Sequence, residues 1–280
     1  MNKILEKKVL APTLKQIVVN APLIARKAKA GQFVILRVHE RGERFPLTIA
    51  DYDREKGTIT LIFQEVGAST KLLGNLEVGD VILDLVGPLG KATKHPHAKR
   101  VVCIGGGVGV APVYPEAKEL YENGVEVISI IGARNKDLLF YVDEMKKVSK
   151  ELYITTDDGS AGRKGFVTDA LKDLILSGME IDCVIAIGPM PMMKAVSNLT
   201  KEYGIYTIVS LNSLMVDGTG MCGGCRVTIG NEVKFACIDG PAFEAHSIDF
   251  DEQMRRLRMY QEEEKLVDCK CGEAEKNVEN

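Results

Sequence analysis

Residues 99–209 repeat a unit of apolar strand, glycine-containing turn and helix, and this repeat constrains the fold more than any other feature. Strands are predicted at 101–104, 125–131, 152–155 and 182–187. Strands that alternate with helices form a parallel sheet, and such a sheet binds ligands beyond the carboxyl ends of its strands. The glycine turns all fall at those ends. The repeat therefore predicts a ligand-binding α/β domain over residues 99–209.

The residues on either side of this repeat follow different patterns. Residues 1–98 contain short β-rich runs at 33–38, 58–65 and 81–86 between turn residues, with no helical stretch longer than 69–76. That spacing is typical of a small antiparallel β barrel. Residues 210–280 form a third domain, which contains a glycine- and cysteine-rich stretch, a charged helical run at 251–265 and a polar tail. We interpret the charged run as a solvent-exposed helix.

Charge and hydropathy exclude two classes of partner. The 36 Lys and Arg residues are offset by 39 Asp and Glu residues, which gives a net charge of -3 and no basic excess for nucleic acid. No run approaches the roughly 18 apolar residues of a membrane-spanning helix, and charged residues interrupt the first 16 positions where a signal peptide is apolar. Seven cysteines, three of them clustered, indicate metal or redox chemistry in a reducing compartment. We expect a cytoplasmic protein that contacts neither nucleic acid nor membrane.

The spacing of Asp217, Cys222, Cys225 and Cys237 is the strongest chemical signal in the chain. A plant-type [2Fe-2S] cluster is held by C-x4-C-x2-C and a fourth cysteine downstream, and here Asp217 occupies the first position. A carboxylate carries the charge of a thiolate but is harder, so the cluster should form with a shifted reduction potential. A structural zinc with three thiolates and one carboxylate is the alternative interpretation.

The remaining cysteines are interpreted without a ligand role. Cys103 and Cys183 fall inside predicted strands, where a thiol behaves as a small buried apolar group. Cys269 and Cys271 form a C-x-C in the polar tail and are interpreted as free thiols, although either is a possible source of a further thiolate.

The glycine turns of the α/β region predict a dinucleotide site. The first turn reads GGGVGVAP over residues 105–112 and opens a helix, so its backbone amides are accessible to a pyrophosphate. The third strand ends at two aspartates that suit ribose hydroxyls, and the fourth ends at a Gly-Pro-Met turn. The predicted contacts are Gly105, Gly106, Gly107, Gly109, Ala111, Pro112, Asp157, Asp158, Gly188, Pro189 and Met190. Taken singly, each of these turns also has an ordinary structural explanation.

Two stretches of the barrel region suggest a second phosphate site. Residues 44–48 supply an arginine and a threonine hydroxyl, and residues 67–70 begin a short helix with two further hydroxyls. Arginine, hydroxyls and a helix N-terminus are groups that bind phosphate. An exposed arginine beside an ordinary helix cap is the alternative interpretation of the same residues.

In this order the motifs resemble those of the ferredoxin reductase family: a barrel, a GGGxGxAP turn and a GPxxM-like turn. With the cysteine loop near the C-terminus, the layout is similar to the electron-transfer subunits of dihydroorotate dehydrogenase. It is more similar still to the small (alpha) subunits of NADH-dependent ferredoxin:NADP oxidoreductases, the electron-bifurcating transhydrogenases, which are also known as sulfide dehydrogenase subunits. Asp217 is the most specific part of this resemblance, because the dihydroorotate relatives ordinarily carry cysteine there.

The resemblance implies three cofactors: FAD between the barrel and the α/β domain, a [2Fe-2S] cluster, and NAD(H). The flavin contacts that it implies are Arg44, Phe45, Pro46, Leu47, Thr48, Phe63, Gly67, Ser69 and Thr70. Many relatives carry Arg-Pro-x-Ser in this region, with arginine at the position of Phe45. Arg44 is one residue early and, if it lies in a strand, would face the other side, so Thr48 and Thr70 are preferred as flavin contacts.

The resemblance also implies an oxidoreductase subunit that passes electrons between NADH, flavin and cluster to a larger flavoprotein subunit. That partner would hold a second FAD and [4Fe-4S] clusters, where ferredoxin and NADP(H) react. Because cofactors perform the redox chemistry, no side chain is predicted to act as a catalytic acid, base or nucleophile. Two alternatives stay open: the partner of an NAD-dependent dihydroorotate dehydrogenase, and a non-catalytic, zinc-stabilised nucleotide-binding module.

The identity of the dinucleotide is less constrained than its site. Arg134 and Lys136 follow the second strand of the α/β domain and would suit the 2'-phosphate of NADPH, whereas Asp157 and Asp158 favour the free hydroxyls of NADH. The resemblance favours NADH.

Overall fold

A computed structural model describes residues 2–264 and 266 of the chain. Cys269 and Cys271 lie outside the described residues. Among the described residues, no helix combines the length and the apolar character that crossing a membrane requires. The strands form a six-stranded sheet, a seven-stranded sheet and a two-stranded hairpin.

The first sheet is antiparallel and closes into a barrel. Its elements are β1 (Ile4–Ala11), β2 (Leu14–Asn20), α1 (Pro22–Lys27), β3 (Phe33–Arg37), β4 (Phe45–Asp53), β5 (Thr58–Gln64), α2 (Ala68–Asn75) and β6 (Asp84–Leu89). The strand order is β1-β2-β5-β4-β3-β6. The chain just before β6 pairs with the start of β1, through a bridge between Lys3 and Val81 and a 2.9 Å hydrogen bond from the Ile4 N–H to the Asp80 carbonyl. The predicted antiparallel barrel is confirmed.

Two features of the barrel differ from what the sequence predicts. The last strand begins at Asp84 instead of residue 81, because residues 79–82 pair with the start of β1. Residues 45–48 open β4, and Arg44 directly precedes that strand. The six-residue helix α1 was not predicted; it begins with Pro22, whose fixed φ suits the first turn of a helix.

The second sheet is the parallel sheet that the strand–helix repeat predicts. Its elements are β7 (Arg100–Gly106), α3 (Val110–Glu122), β8 (Glu126–Ala133), α4 (Val142–Lys147), β9 (Glu151–Thr156), β10 (Arg163–Lys164), α5 (Val167–Leu176), β11 (Cys183–Ile187), α6 (Met190–Glu202) and β12 (Tyr206–Ser210). The order is β10-β9-β8-β7-β11-β12, with every one of these pairs parallel. The chain changes direction across the sheet between β7 and β11. The turns that follow these two strands therefore lie at the switch point where such sheets bind ligands.

The chain after residue 210 packs on both larger sheets. Its elements are β13 (Arg226–Ile229), β14 (Glu232–Phe235), α7 (Ala236–Asp239), β15 (Ala242–Glu244) and α8 (Phe250–Arg256). Strands β13 and β14 form the hairpin, whereas β15 extends the parallel sheet by pairing antiparallel with β12. A separate apolar cluster joins Met215, Cys225 and Cys237 to Phe33 and Ile35 of β3.

The interpretation of residues 251–265 as one solvent-exposed helix is wrong in part. Helix α8 ends at Arg256, and its residues Phe250 and Gln253 are buried. Phe250 packs into the core on one face of the parallel sheet, so this helix is amphipathic despite its many charges.

The barrel core predicts a large difference between two leucine substitutions. Leu36 on β3 is 0% exposed, whereas Leu23 on α1 is 75% exposed. We expect Leu36→Ala to lower the free energy of unfolding by about 2–5 kcal/mol, because it removes buried methyl groups and leaves a cavity. Leu23→Ala is the matched control and should change it by less than about 0.5 kcal/mol. Urea denaturation measures both, and equal effects would contradict the assigned core.

Candidate functional site

A cavity of about 1610 Å³ lies between the barrel and the parallel sheet. Most small-molecule sites occupy roughly 300–1,000 Å³, so this space is large enough for two extended ligands. The predicted contacts that line it are Arg44, Phe45, Pro46, Leu47, Thr48, Phe63, Thr70, Gly106, Gly107, Gly109, Ala111, Pro112, Asp157, Gly188 and Pro189. The two sets of residues predicted to bind flavin and dinucleotide thus face one space from opposite sides.

On the barrel side, the start of β4 and the N-terminus of α2 face the cavity. The Thr70 hydroxyl accepts hydrogen bonds from the N–H groups of Val66 and Gly67, at 3.0 and 3.1 Å, and it donates to the Gly67 carbonyl. Thr70 therefore holds the turn that opens α2. The Arg44 guanidinium donates to the carbonyl of Val216 at 3.2 Å, which links the start of β4 to the residue before Asp217.

Five predicted contacts do not line the cavity: Gly67, Ser69, Gly105, Asp158 and Met190. Ser69 donates to Glu43, and the Asp158 carboxylate accepts the N–H of Ser160 within its own turn. Gly105 lies under the turn, where a side chain would press on Val110, and Met190 is the first residue of α6 and is buried in the core. Gly67 takes part in the cap of α2. The structure thus gives these residues roles in shaping the turns.

The glycine turns after β7 and β11 lie against each other. A side chain at Gly109 would collide with the carbonyl of Ile187, and one at Gly106 would collide with the sulfur of Met192. Helix α3 begins directly after this turn, so its first N–H groups lie beside the cavity. Bare amides at a helix N-terminus stabilise a bound pyrophosphate.

Asp157 and Arg134 line the far end of the dinucleotide side, and both are exposed. They follow β9 and β8, and the Asp157 N–H donates to the carbonyl of Ala133 at 3.1 Å. This places a carboxylate and a guanidinium at neighbouring strand ends, where a ribose and its substituents would meet them. Lys136, the other cation considered for a 2'-phosphate, does not line the cavity.

Direct contacts fix the barrel against the parallel sheet. Lys118 on α3 forms a 2.9 Å ion pair with Asp51 on β4. The Tyr141 hydroxyl donates to the side-chain oxygen of Gln16 at 2.8 Å. Helix α3 thus begins at the dinucleotide turn and packs against the strand that lines the flavin side, so the protein itself sets the width of the cavity.

Asp217 lies at the centre of a tight backbone loop. Its carboxylate accepts the N–H groups of Thr219, Met221 and Cys222 at 2.9–3.1 Å. Burial acts to raise the pKa of Asp217, but these N–H groups and the thiol of Cys222 outweigh it and lower the pKa to about 2. The carboxylate is therefore ionised at neutral pH, as a metal ligand must be.

The four predicted ligands form two pairs. The Cys222 sulfur lies 3.3 Å from Asp217, and the N–H of Cys237 donates to the sulfur of Cys225 at 3.4 Å. Burial, the contact with Cys225 and the charge of Asp217 raise the pKa of Cys237 to about 12. Among the described residues, no three His, Cys, Asp or Glu side chains are placed to hold one metal ion. Paired thiolate and carboxylate donors of this kind suit the two irons of a [2Fe-2S] cluster.

Sequence reasoning missed two groups of residues that line the cavity. Residues 210–216 run along it from the end of β12 to Asp217, and Tyr260, Glu263 and Glu264 lie at its edge. Residues 210–216 contain neither glycine nor a charged residue, so no sequence pattern identifies them as part of a binding site. Tyr260 lies in the charged run, where it was interpreted as part of an exposed helix.

Two family models match the chain. The iron-sulfur cluster binding domain of dihydroorotate dehydrogenase B matches residues 212–249. The oxidoreductase NAD-binding domain matches residues 103–198. The first match contains all four predicted cluster ligands, and the second contains the three predicted dinucleotide turns.

Comparisons with proteins that match most of the chain agree with the two family models. A Thermotoga maritima protein described as a dihydroorotate dehydrogenase B (NAD(+)) electron transfer subunit homolog is 45% identical over 266 residues, which cover 95% of this chain and 94% of that protein. The electron transfer subunit of dihydroorotate dehydrogenase B from Fusobacterium nucleatum is 37% identical, covering 79% of this chain and 87% of that one. A chain in the structure of an NADH-dependent reduced ferredoxin-NADP oxidoreductase, described for flavin-based electron bifurcation, superposes with a TM-score of 0.91 and 44% identity. That superposition covers 95% of this chain and 96% of the other.

The close fit of the two glycine turns gives a testable prediction. Gly109→Ala places a methyl group against the carbonyl of Ile187, and overpacking of this kind costs about 1–3 kcal/mol. We expect the turn to shift and dinucleotide affinity to fall by roughly 10-fold. Titration of the purified protein with NADH measures the affinity. Flavin content is the internal control and should stay at the wild-type level, because the substitution does not touch the barrel; unchanged NADH affinity in the folded variant would contradict the assigned turn.

Proposed function

We propose a function that proceeds from one premise: this chain belongs to the family of dihydroorotate dehydrogenase B electron-transfer subunits and their homologues. It is an oxidoreductase subunit that uses FAD, an iron-sulfur cluster and NAD(H). Within the family it acts as the electron-transfer subunit of an NADH-dependent ferredoxin:NADP oxidoreductase. The observation that carries this proposal is the continuity of residues 210–216, which line the cavity and lead directly into Asp217.

The residues divide among the three cofactors according to the faces they line. The start of β4, Phe63 and Thr70 would hold FAD on the barrel side. The turns after β7 and β11 and Asp157 would hold the dinucleotide on the opposite side. Asp217 with Cys222, and Cys225 with Cys237, would each bind one iron of a [2Fe-2S] cluster. FAD exchanges a hydride with nicotinamide and single electrons with an iron-sulfur cluster, and this is the chemistry that the cofactors supply.

The contribution of the chain is to bind, orient and separate these groups. The contact of α3 with β4, which includes the ion pair between Lys118 and Asp51, joins the two sides of the cavity. Phe33, Ile35 and Met215 fill the space beside Cys225 and Cys237 with apolar atoms, which exclude water from one side of the ligand set. No side chain is required to act as a catalytic acid or base in this arrangement, because the cofactors perform the redox chemistry.

The electron acceptor of this subunit is proposed to be a larger flavoprotein that carries a second FAD and [4Fe-4S] clusters and reacts with ferredoxin and NADP(H). Several relatives of this chain are described as electron transfer subunits of dihydroorotate dehydrogenase B. The ligand loop reaches the surface, since Met221 is 89% exposed and Cys222 is exposed as well. A loop with one face on the barrel and another at the surface supports electron exit to a docked partner, so the working unit is a heterodimer.

Two other functions make different predictions about the purified complex. A dihydroorotate dehydrogenase would supply a different large subunit, and the names of several relatives favour that reading. A zinc-stabilised nucleotide-binding module would be colourless and would contain one zinc per chain. Purification of the native complex under anaerobic conditions, with flavin, iron and zinc analysis and identification of the large subunit, distinguishes all three.

The role of Asp217 is tested by substitution. We expect Asp217→Ala to lose iron and acid-labile sulfide, because one iron then keeps Cys222 as its single protein ligand. Asp217→Cys supplies a thiolate at the same position and should keep the cluster with a changed reduction potential and paramagnetic resonance spectrum. The control is Glu232→Ala, which removes an exposed carboxylate from the β13–β14 hairpin and should change neither property. Unaltered cluster content and potential in Asp217→Ala would show that Asp217 is not a ligand and would make Cys269 and Cys271 candidates.

The dinucleotide is proposed to be NADH, because Asp157 lines the cavity and a carboxylate there accepts ribose hydroxyls but repels a 2'-phosphate. We expect NADH to bleach the flavin faster than NADPH at equal concentration in stopped-flow experiments. Asp157→Asn removes the negative charge and should reduce the difference between the rates of flavin bleaching by NADH and by NADPH. Faster reduction by NADPH in the wild-type protein would overturn the choice and assign Arg134 to the 2'-phosphate.

A further inference from the structure

Gln253 on α8 is a buried polar side chain that joins the two ends of the ligand loop. It is 1% exposed. Its side-chain oxygen accepts the Ser213 hydroxyl at 3.0 Å, and its side-chain N–H donates to the carbonyl of Arg226 at 3.1 Å. Ser213 precedes Asp217 by four residues, and Arg226 directly follows Cys225. One amide therefore spans the base of the loop that carries three of the four proposed ligands.

Arg256, one turn further along α8, contacts the same loop between two ligands. Its guanidinium donates to the carbonyl of Gly224 at 2.8 Å. The N–H of Gly224 points toward the sulfur of Cys222 at 3.5 Å, and the next residue is Cys225. The contact thus fixes a residue that lies between two proposed iron ligands, Cys222 and Cys225, and it brings a full positive charge to that position.

Helix α8 is itself held in place by independent contacts. Lys194 on α6 pairs with both oxygens of Asp251 at 2.8 and 2.9 Å. The N–H of Asp249 donates to the carbonyl of Thr228 on β13 at 3.1 Å, and Phe250 is buried in the core. Because these contacts fix the backbone of α8, the hydrogen bonds of Gln253 and Arg256 hold the loop in place relative to the helix.

We propose that Gln253 and Arg256 are positioning residues for the iron-sulfur site, and that the charge of Arg256 raises the reduction potential of the cluster. This inference rests on the proposed function, since it requires a cluster in the loop. Reduction adds one negative charge, and a nearby cation stabilises the reduced form more than the oxidised form. Net charge, hydrogen bonds near the sulfurs and solvent exposure are the means by which a protein sets such potentials.

Arg256 is tested with a series of three variants and a redox titration followed by paramagnetic resonance. Arg256→Gln removes the charge and the contact with Gly224, and we expect a more negative midpoint potential and an altered spectrum. Arg256→Lys keeps the charge and should show the smaller shift in potential. Arg255→Gln is the matched control, because it removes the same charge from the exposed neighbouring residue and should leave potential and spectrum at wild-type values.

Gln253 is tested with Gln253→Met, which keeps the approximate size of the side chain and removes both hydrogen bonds. Loss of a supporting hydrogen bond typically weakens metal binding 10- to 100-fold, so we expect roughly 10-fold faster loss of the cluster to a chelator. Flavin content should stay unchanged. Cluster loss at the wild-type rate would overturn the assignment of Gln253, and so would parallel loss of flavin and cluster, which would show an effect on the whole fold; the Arg256 series stands independently of both outcomes.

The outcomes separate this inference from the function on which it rests. If the wild-type protein contains no acid-labile sulfide and gives no paramagnetic resonance signal after reduction with dithionite, the proposed function is wrong. A wild-type protein with a normal signal, together with an Arg256→Gln potential equal to that of Arg255→Gln, would overturn only the role of Arg256.

Discussion

The packing of the ligand loop against the barrel is the contact on which the proposed electron path depends. Gly218 follows Asp217 with a φ of +73°, and a side chain at this position would lie 2.7 Å from Ile35 and 2.8 Å from Leu89. Glycine permits both the backbone conformation and the close approach. The loop consequently lies on β3, whose partner β4 begins with the residues that line the flavin side of the cavity. A larger residue would move the proposed cluster ligands away from that strand.

Helix α3 imposes the corresponding constraint on the dinucleotide side. Its first turn follows the glycines that face the cavity, and its flank packs against β4 with Lys118 paired to Asp51. Strand β4 therefore neighbours the cluster loop through β3 and contacts the dinucleotide-binding helix directly. The three proposed cofactor sites are therefore all positioned relative to this one strand. Such an arrangement suits a protein whose chemistry is performed by cofactors, because the rate then depends on distances that the scaffold fixes.

The sequence predicts those parts of the fold that depend on local pattern. The strand–helix repeat and the glycines at its turns identify the parallel sheet. Strands that are buried on both faces consist of consecutive apolar residues, and glycines leave the backbone accessible at the strand ends, so both features are visible in short stretches of sequence. Residues 210–216, strand β15 and the inner face of α8 were not predicted. Their environment is set by partners far away in the sequence: Gln253 meets Ser213 across 40 residues, and Arg44 meets Val216 across 172. A glutamine inside a charged run carries no local sign that it will be buried.

Helix α8 connects the two ends of the proposed electron path. It is paired to α6 through Lys194 and Asp251, and α6 begins at the Gly188-Pro189 turn on the dinucleotide side. At the same time it holds the cluster loop through Gln253 and Arg256. The proposed dinucleotide turn and the ligand loop are thus connected through α6 and α8 as well as through the barrel. A structural zinc module needs its loop to be closed but has no need for the loop to be fixed relative to a nucleotide. Connections through both the barrel and the helices suit electron transfer, whose rate depends on the distance between the cofactors.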